Sequence, residues 1–338
     1  RAQRAASNFL NKIKAIKYFK KNPPPTVGKP SVTSQVVHFL NRPMPKNIPT
    51  KTSRGLLGIE DDKTVPVIRN HQKINDDSEA VFYFPGCGSE RLFSQVGLAT
   101  QAMLYEVGAI TVLPPGYLCC GYPQTSSGNH DKGQEITSDN RVQFHRVANT
   151  LNYLDIKTVI VSCGTCMDQL QKYEFEKIFP GCRLLDIHEY LMEKGVRMEG
   201  ISGQQYMYHD PCHSPMKTYD SLDVTKTLMN KDVTLNDRCC GESGTFAISR
   251  PDIATQVKMR KQEEIEKGVS EINVSNNSPV KILTSCPSCL QGLSRYGEET
   301  DTTSDYIVVE LAKNNLGDQW LEEYIEKATN GGIEKILL

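Results

Sequence analysis

The sequence predicts an α/β protein with two pseudo-symmetric halves, each holding a mostly parallel sheet and a five-cysteine metal site. Strands and helices alternate from Ala80 onward, which is typical of βαβ units. Ten of the eleven cysteines also form two copies of one pattern, whose members are 120 to 125 residues apart. Random cysteine usage does not reproduce both order and spacing, so the repeat indicates a duplicated site. The copies are Cys87, Cys119, Cys120, Cys163, Cys166 and Cys212, Cys239, Cys240, Cys286, Cys289.

Length and composition narrow the class of protein. The 338 residues predict two domains after a connector, with boundaries at 1–78, 79–205 and 206–338. A formal net charge of −1 favours no particular partner, and no apolar run is long enough for a membrane span. The first ten residues resemble no signal peptide and lack Met, so we expect a piece of a longer or processed protein in the cytoplasm. In that reducing compartment thiolates go to metal rather than to a disulfide framework.

The connector is basic and interrupted by prolines. Twelve Lys and Arg but no Asp or Glu precede Glu60. Leu10, Ile13, Ile16 and Phe19 recur every three residues, as on one face of a helix. Docking of this face on the protein itself is the favoured interpretation. The alternative is contact with a partner, or peripheral contact with the inner face of a membrane through residues 1–30.

The first half predicts strands at 81–84, 111–113 and 158–161, with helices from Ser89 to about Val107 and from Ser138 to Leu154. A strand–helix pair follows around 183–194. The second half repeats this order with a strand at 206–208, a helix at 252–267 and strands at 280–283 and 305–309. Each cysteine group follows the end of a strand, where open α/β sheets place their ligand crevices.

The chemistry of the cysteines favours an iron–sulfur cluster or zinc. Thiolates are soft ligands that suit both. Gly121 and Gly241 follow the two vicinal cysteine pairs and permit the tight backbone that such a turn needs. Five thiols per site exceed the four that a structural zinc or a cubane cluster requires. The excess indicates an unusual cluster, or one thiol with another role.

The motifs resemble those of the Cys-Cys-Gly (CCG) domain family, which includes the catalytic subunit of heterodisulfide reductase and the glycolate oxidase iron–sulfur subunit. The matching pieces are 84–87, 118–121, 162–166, 209–213, 238–244 and 285–289. The chain is most similar to the C-terminal iron–sulfur part of bacterial fused flavin-linked D-lactate/glycolate-type dehydrogenases. The resemblance implies two [4Fe-4S] clusters, of the non-cubane kind in heterodisulfide reductase, held by the ten repeated cysteines. It also implies FAD on a partner domain or subunit and a ferredoxin-like iron–sulfur domain outside this sequence.

The second copy departs from the first in spacing. Twenty-six residues separate Cys212 from Cys239, against thirty-one between Cys87 and Cys119. The second site is therefore the one expected to be altered, holding zinc or a simpler cluster. The gaps before each CxxC pair look longer than is usual in the family, and the extra length is predicted in loops at 126–135 and 270–279.

Residues near the cysteines are candidates for supporting groups. His209, His213 and Glu242 could hydrogen-bond or tune the second site. The equally weighted alternative for the histidines is a structural hydrogen bond, and for Glu242 a helix cap. Other residues are expected to be structural or at the surface: Cys182, His145, His188 and Lys217, the last with the alternative of offsetting the charge of the second cluster.

Three functions remain open from the sequence. The leading one is an electron-transfer module that passes electrons from a flavin dehydrogenase for a 2-hydroxy acid, through its clusters, to an acceptor. The alternatives are a thiol/disulfide reductase acting at a non-cubane cluster and a zinc-holding scaffold. No nucleotide-binding or acyl-transfer motif is present, and no nucleic-acid module is recognised.

Overall fold

The computed structural model describes residues 51–199, 203–242, 250–273 and 279–338. The basic helix face predicted around Leu10 to Phe19 and the motif residues 243–244 lie outside them. The helices are α1 Ser53–Leu57, α2 Ser94–Glu106, α3 Tyr122–Ser126, α4 His130–Thr150, α5 Gly164–Leu170, α6 Ile187–Glu193, α7 Ser221–Met229, α8 Pro251–Asn273, α9 Pro287–Leu293, α10 Gly297–Thr300, α11 Ile307–Leu316 and α12 Trp320–Lys327. The strands are β1 Thr64–Ile68, β2 Ala80–Phe84, β3 Ile110–Val112, β4 Ile156–Val161, β5 Arg183–Asp186, β6 Gln205–His209, β7 Thr234–Leu235, β8 Val280–Thr284, β9 Thr302–Tyr306 and β10 Ile333–Leu337.

Two mostly parallel sheets confirm the α/β class. The first has six strands in the order β10-β1-β3-β2-β4-β5, and the second has four in the order β7-β6-β8-β9. The strands β3-β2-β4-β5 are parallel and follow the same order as the four parallel strands of the second sheet. Their central strands are buried apolar runs because helices cover both faces of a parallel sheet. The carboxyl ends of β2, β3 and β4 therefore meet at one edge, as do those of β6, β7 and β8.

The edge of the first sheet was not anticipated from the sequence. The strand β1 falls inside the predicted connector, yet it pairs antiparallel with β3 and with β10. Pro66 lacks a backbone N–H and weakens the strand signal of this segment. The strand β10 lies in the predicted second half but completes the sheet of the first. The boundaries at 78 and 205 remain a proposal, and these two strands cross them.

Several element predictions were wrong in their bounds, including the helix from Ser138 to Leu154, which the structure places at His130–Thr150. The predicted strand 305–309 is instead β9, which ends at Tyr306, followed at once by α11. The apolar residues 307–309 are buried on that helix, and an apolar run alone does not separate a strand from a buried helix. The predicted loop 126–135 is mostly helical because Asn129 caps α4 at His130. The helix α8 reaches Asn273, so the predicted loop at 270–279 begins as helix, and 274–278 lie outside the described residues.

One hydrophobic core joins the two sheets. Ile160 and Leu185 of the first sheet belong to the same buried cluster as Tyr208 and Leu283 of the second, with Leu311 of α11 between them. Burial of this apolar area is the main force that holds the sheets together. Within the described part of the chain, no helix combines the length and apolar character that a membrane crossing needs.

Candidate metal centres

The first thiol cluster assembles where three parallel strands end. Cys87 follows β2, the vicinal pair Cys119–Cys120 follows β3, and Cys163 ends the turn after β4 and begins α5, which carries Cys166. The strands bring these distant segments together because their carboxyl ends share one edge of the sheet.

The sulfur atoms of this cluster contact one another in a chain. The Sγ atoms of Cys166 and Cys120 are 3.5 Å apart. Hydrogen bonds from the Cys120 and Cys87 thiols lower the pKa of Cys119 to about 3. A hydrogen bond from Cys166 lowers the pKa of Cys163 to about 6 against the opposing effect of burial. The five sulfurs therefore form one set, in which hydrogen bonds from neighbouring thiols favour the thiolate, the form that binds metal, at Cys119 and Cys163.

Backbone geometry fixes the vicinal pair of the first cluster. Tyr173 donates from its hydroxyl to the Cys120 carbonyl at 3.0 Å, and the Asn140 amide donates to the Cys119 carbonyl at 2.7 Å. Gly121 has φ 88°, in the left-handed region that favours glycine. A Cβ on Gly86 would lie 2.6 Å from the Cys166 Sγ, so this position has no room for a side chain.

The second cluster repeats most of this arrangement. Cys239–Cys240 follow β7, and Cys286 and Cys289 flank the start of α9 after β8. The Sγ atoms of Cys240 and Cys289 are 3.4 Å apart. Hydrogen bonds with Cys239 and then Cys289 hold the pKa of Cys240 well below its ordinary value. Cys212 differs from its first-half counterpart Cys87, since it is exposed rather than half-buried.

The supports of the second cluster match those of the first at the backbone. Tyr296 donates to the Cys240 carbonyl at 3.0 Å, as Tyr173 does to Cys120. Each tyrosine lies seven residues after the last cysteine of its CxxC pair. Gly241 has φ 76°, like Gly121 in the first half. The same two features, a tyrosine hydrogen bond to the cysteine carbonyl and a left-handed glycine, therefore hold the vicinal cysteine pair at both centres.

His209 and Glu242, both predicted as supporting residues, are buried at the second cluster. The ligand atoms of His209, Cys240 and Cys289 lie within 4.8 Å of one another. Lys261 of α8, fully buried, places its Nζ 3.1 Å from the His209 Nδ1. Sequence reasoning missed this lysine because a single charged residue in a polar helix carries no signal of burial. Glu242 accepts hydrogen bonds from Gln291 and Arg295, so its carboxylate is tied to α9 and the residues just after it.

His213 lies elsewhere than the sequence suggested. Its Nδ1 contacts the Asp168 carboxylate, and its Nε2 is 3.2 Å from the Tyr122 hydroxyl. Both partners follow cysteines of the first cluster, so the imidazole belongs to the first centre although it neighbours Cys212 in sequence. Lys217 pairs with the same Asp168 at 3.1 Å, half-exposed, and does not lie at the second cluster as one interpretation had it.

The two clusters share a boundary between the halves of the chain. A Cβ on Gly164 would lie 1.5 Å from the His213 carbonyl oxygen, so the loop after β6 packs on the start of α5. A Cβ on Gly88, after β2, would lie at an ordinary contact distance of 3.5 Å from Pro287 at the start of α9. The Tyr306 hydroxyl lies 2.7 Å from the Ser162 carbonyl and 2.6 Å from the Ser285 carbonyl, the residues just before the two CxxC pairs.

The remaining candidates have structural surroundings. Cys182 is half-buried, and burial raises its pKa to about 11. His188 is buried in α6 with its Nδ1 2.6 Å from the Asp186 carboxylate, and His145 is exposed on α4. All eleven cysteines lie in the described part of the chain and are free thiols, which speaks against a disulfide framework.

The donor sets fit a cluster or metal bound through sulfur. Each centre brings several buried thiols to within contact distance of one another, with a glycine-permitted turn and a tyrosine holding the backbone. Soft thiolates in this number suit iron–sulfur clusters and zinc, and do not suit magnesium or calcium. The fold and these thiol sets define a class: α/β proteins with cysteine-based centres at the ends of parallel strands.

A family model described as a cysteine-rich domain (CCG) matches residues 81–171 and again 206–294. The two matches together cover more than half of the chain, which belongs to this family. A domain of unknown function (DUF3400) matches residues 294–338, the segment that ends in β10.

The chain is similar to several named iron–sulfur and oxidoreductase subunits. It is 27% identical over 218 residues to a fumarate reductase (CoM/CoB) subunit of Methanothermobacter marburgensis, covering 61% of this chain and 40% of that protein. It is 24% identical to a probable glycolate oxidase iron-sulfur subunit of Bacillus subtilis, with coverages of 62% and 48%. It is 23% identical to lactate utilization protein A of an Exiguobacterium species, with coverages of 57% and 83%. The chain thus spans about half the length, or less, of the first two relatives.

Proposed function

We propose that this chain is the iron–sulfur electron-transfer module of a flavin-dependent oxidoreductase acting on a 2-hydroxy acid of the D-lactate or glycolate type. The observation that carries the proposal is the contact of five thiols at the first centre, more than a structural zinc requires. The glycolate oxidase and lactate utilization relatives support the substrate class.

The cofactors follow from the ten cysteines. Cys87, Cys119, Cys120, Cys163 and Cys166 would hold one [4Fe-4S] cluster, of cubane or non-cubane type. Cys212, Cys239, Cys240, Cys286 and Cys289 line the other centre, which would hold a second cluster or zinc. When bound, such clusters accept and release single electrons. The residues of this chain supply ligands and burial, while FAD would sit on a partner domain or subunit, beside a ferredoxin-like iron–sulfur domain.

The location of the protein in the cell and its domain boundaries are also part of the proposal. The chain would act in the cytoplasm, and a peripheral contact with membrane through residues 1–30 stays a prediction because that segment lies outside the described residues. The division into 1–78, 79–205 and 206–338 also stays a proposal. The common strand order of the two sheets supports a duplication, while β1 and β10 argue that both ends contribute to the first unit.

A test counts metal and sulfide in the anaerobically purified protein and follows its visible absorption and paramagnetic resonance. The proposal expects iron and acid-labile sulfide for at least one four-iron cluster per chain, reduced when a 2-hydroxy acid is added with the flavin partner. A protein that binds zinc and no iron would overturn it. Cys239→Ser should alter the second centre and leave the signal of the first intact.

A second function, thiol/disulfide reduction, is favoured by one observation. Cys212 is exposed, and its neighbour His213 lies at the first centre beside Tyr122. An external disulfide could therefore approach the boundary between the centres, where two electrons and two protons would convert it to two thiols. Disulfide turnover by this chain alone, with no response to hydroxy acids in the full complex, would favour this function.

A further inference from the structure

We propose that His209 is a ligand of the second centre, which is therefore a mixed imidazole–thiolate site, whereas the first is held by thiolates alone. The inference rests on the proposed function in one respect, that the second centre binds a metal. It concerns a side chain that the cysteine repeat does not include.

The geometry places the imidazole among the thiols. His209 is the last residue of β6 and is 1% exposed. Its ligand nitrogen and the Sγ atoms of Cys240 and Cys289 lie within 4.8 Å of one another, and all three residues are buried. Its Nε2 has no hydrogen bond of ordinary geometry within the described residues, although the imidazole is close enough to Cys240 to help lower the pKa of that thiol. A buried polar atom without a partner is unfavourable, and a metal between the imidazole and the two sulfurs would satisfy it.

Lys261 contacts the other ring nitrogen of His209, Nδ1. The Lys261 Nζ lies 3.1 Å from the His209 Nδ1, and it also donates to the carbonyls of Asn236, at 2.9 Å, and Asp237. A metal-bound histidine keeps its proton on the distal nitrogen and donates it to an acceptor. With a metal at Nε2, the His209 Nδ1–H would therefore donate to Lys261 in its uncharged amine form, which still has two N–H groups for the carbonyls of Asn236 and Asp237. Lys261 thus keeps the Nε2 of His209 facing the sulfurs.

The first half provides an internal comparison. Phe84 ends β2 at the position that His209 occupies in β6, and a Cβ on Gly86 would lie 3.6 Å from its ring as well as against the Cys166 Sγ. An apolar ring therefore stands beside the first centre where the second has an imidazole.

The helix that packs behind each centre also differs between the two halves. Gly121 packs against the Gly133 carbonyl, and Gly241 packs against the Ala254 carbonyl, which aligns α4 with α8. Seven residues further along are Asn140 in the first half and Lys261 in the second. The ring and its distal partner thus change together, as expected if they act as a pair.

The imidazole also accounts for the exposure of Cys212. His209, Cys240, Cys286 and Cys289 are four buried donors, the number that a closed tetrahedral site uses. With His209 as a ligand, a single metal ion at the second centre would have four buried donors without the exposed Cys212 or the half-buried Cys239.

The test uses the full chain, labelled with ¹⁵N-histidine and purified without oxygen. If the second centre is paramagnetic, pulsed paramagnetic resonance should detect a directly coordinated nitrogen. If it holds zinc, X-ray absorption at the zinc edge should show one Zn–N distance of about 2.0–2.1 Å beside Zn–S distances of about 2.3 Å. Both readouts work on the unaltered protein, so they do not depend on the folding of a variant.

Two variants assign the nitrogen. His209→Phe, which installs the residue of the first half, should abolish the coordinated-nitrogen signal. His213→Asn, beside Cys212 in sequence, should leave it unchanged.

Two results overturn the inference. A metal at the second centre with sulfur ligands only, or with a weak nitrogen coupling typical of a hydrogen bond, would make His209 a donor to a thiolate and leave the proposed function standing. A second centre that binds no metal at all, with iron and sulfide for one cluster only, would overturn the ligand role together with the two-centre proposal.

Discussion

Tyr306 is the residue whose removal should disturb both centres at once. It ends β9 and is fully buried. Its hydroxyl lies 2.7 Å from the carbonyl of Ser162 and 2.6 Å from that of Ser285, directly before the two CxxC pairs. Tyr306→Phe keeps the ring and removes only the hydroxyl, so its effect reports on this link.

The size of the effect follows from the single proton of the hydroxyl, which is donated to only one of the two carbonyls at a time. A buried acceptor that loses its donor costs roughly 1–3 kcal/mol. The Ser162 carbonyl retains the Ser89 hydroxyl as a weaker donor at 3.4 Å, which reduces its share. We therefore expect a loss of about 2 kcal/mol in the free energy of unfolding, or roughly a factor of 30 in the unfolding equilibrium.

Urea unfolding measures this loss from the shift of the midpoint, provided that the slope of the unfolding free energy against urea concentration is unchanged. The spectra of the two centres show whether the substitution disturbs one centre or both. Tyr83→Phe and Tyr208→Phe are controls confined to one half each. The Tyr83 hydroxyl contacts the Ser162 hydroxyl at 2.7 Å, and the Tyr208 hydroxyl contacts the Ser285 hydroxyl at 3.1 Å and donates to Asp210 at 2.9 Å. Each control should affect its own half only. A Tyr306→Phe protein within about 0.5 kcal/mol of the original, or with one centre altered and the other unchanged, would refute the reasoning.

Two further predictions use residues at the centres. Gly164→Ala should lower the free energy of unfolding by about 1–3 kcal/mol, since its Cβ would overlap the His213 carbonyl in the loop after β6. Gly88→Ala is the control, because its Cβ would make only ordinary contacts and should be tolerated. Equal unfolding midpoints for the two variants would contradict this packing. In the metal-free chain at pH 6, Cys119 should react with iodoacetamide because hydrogen bonds from neighbouring thiols lower its pKa to about 3 and keep it a thiolate. Cys182 should stay protonated and unlabelled because burial raises its pKa to about 11. Peptide mass spectrometry measures the labelling, and comparable labelling of Cys119 and Cys182 would contradict these two pKa shifts.

The parallel strands and the grouping of the cysteines could be predicted because both signals are local and repeated. An apolar run such as 158–161 indicates a strand wherever it packs, and the strand order then brings distant cysteines to one edge. The strands β1 and β10 could not be predicted in the same way. Their pairing joins residues more than 260 positions apart, and no local pattern specifies a partner at that separation.

Side-chain placement was the least predictable part of the candidate site. His209 and His213 flank the same cysteine in sequence, yet His209, at the end of β6, lies at the second centre, and His213, in the loop that follows, contacts residues of the first. The loop also packs closely on Gly164, a contact that the sequence does not reveal. The burial of Lys261 likewise depends on the approach of α8 to β6, which periodicity alone does not reveal.

The differences between the halves suggest an order of electron affinity. Each centre has a tyrosine that donates to a cysteine carbonyl, a left-handed glycine and a sulfur contact of 3.4–3.5 Å, so the backbone around the two centres is alike. Behind the second lies Lys261, whose pKa burial lowers to about 8 while the Cys240 and Cys289 charges oppose the shift. If His209 binds the metal, Lys261 must accept the Nδ1–H as a neutral amine; if His209 does not bind it, Lys261 can donate to Nδ1 as an ammonium. A positive charge near a cluster favours its reduced state and raises its reduction potential. Behind the first lies the neutral Asn140. Within the proposed electron-transfer function, if both centres hold clusters, electrons would therefore settle at the second only where His209 is not a ligand, so the potentials of the two centres also test that role.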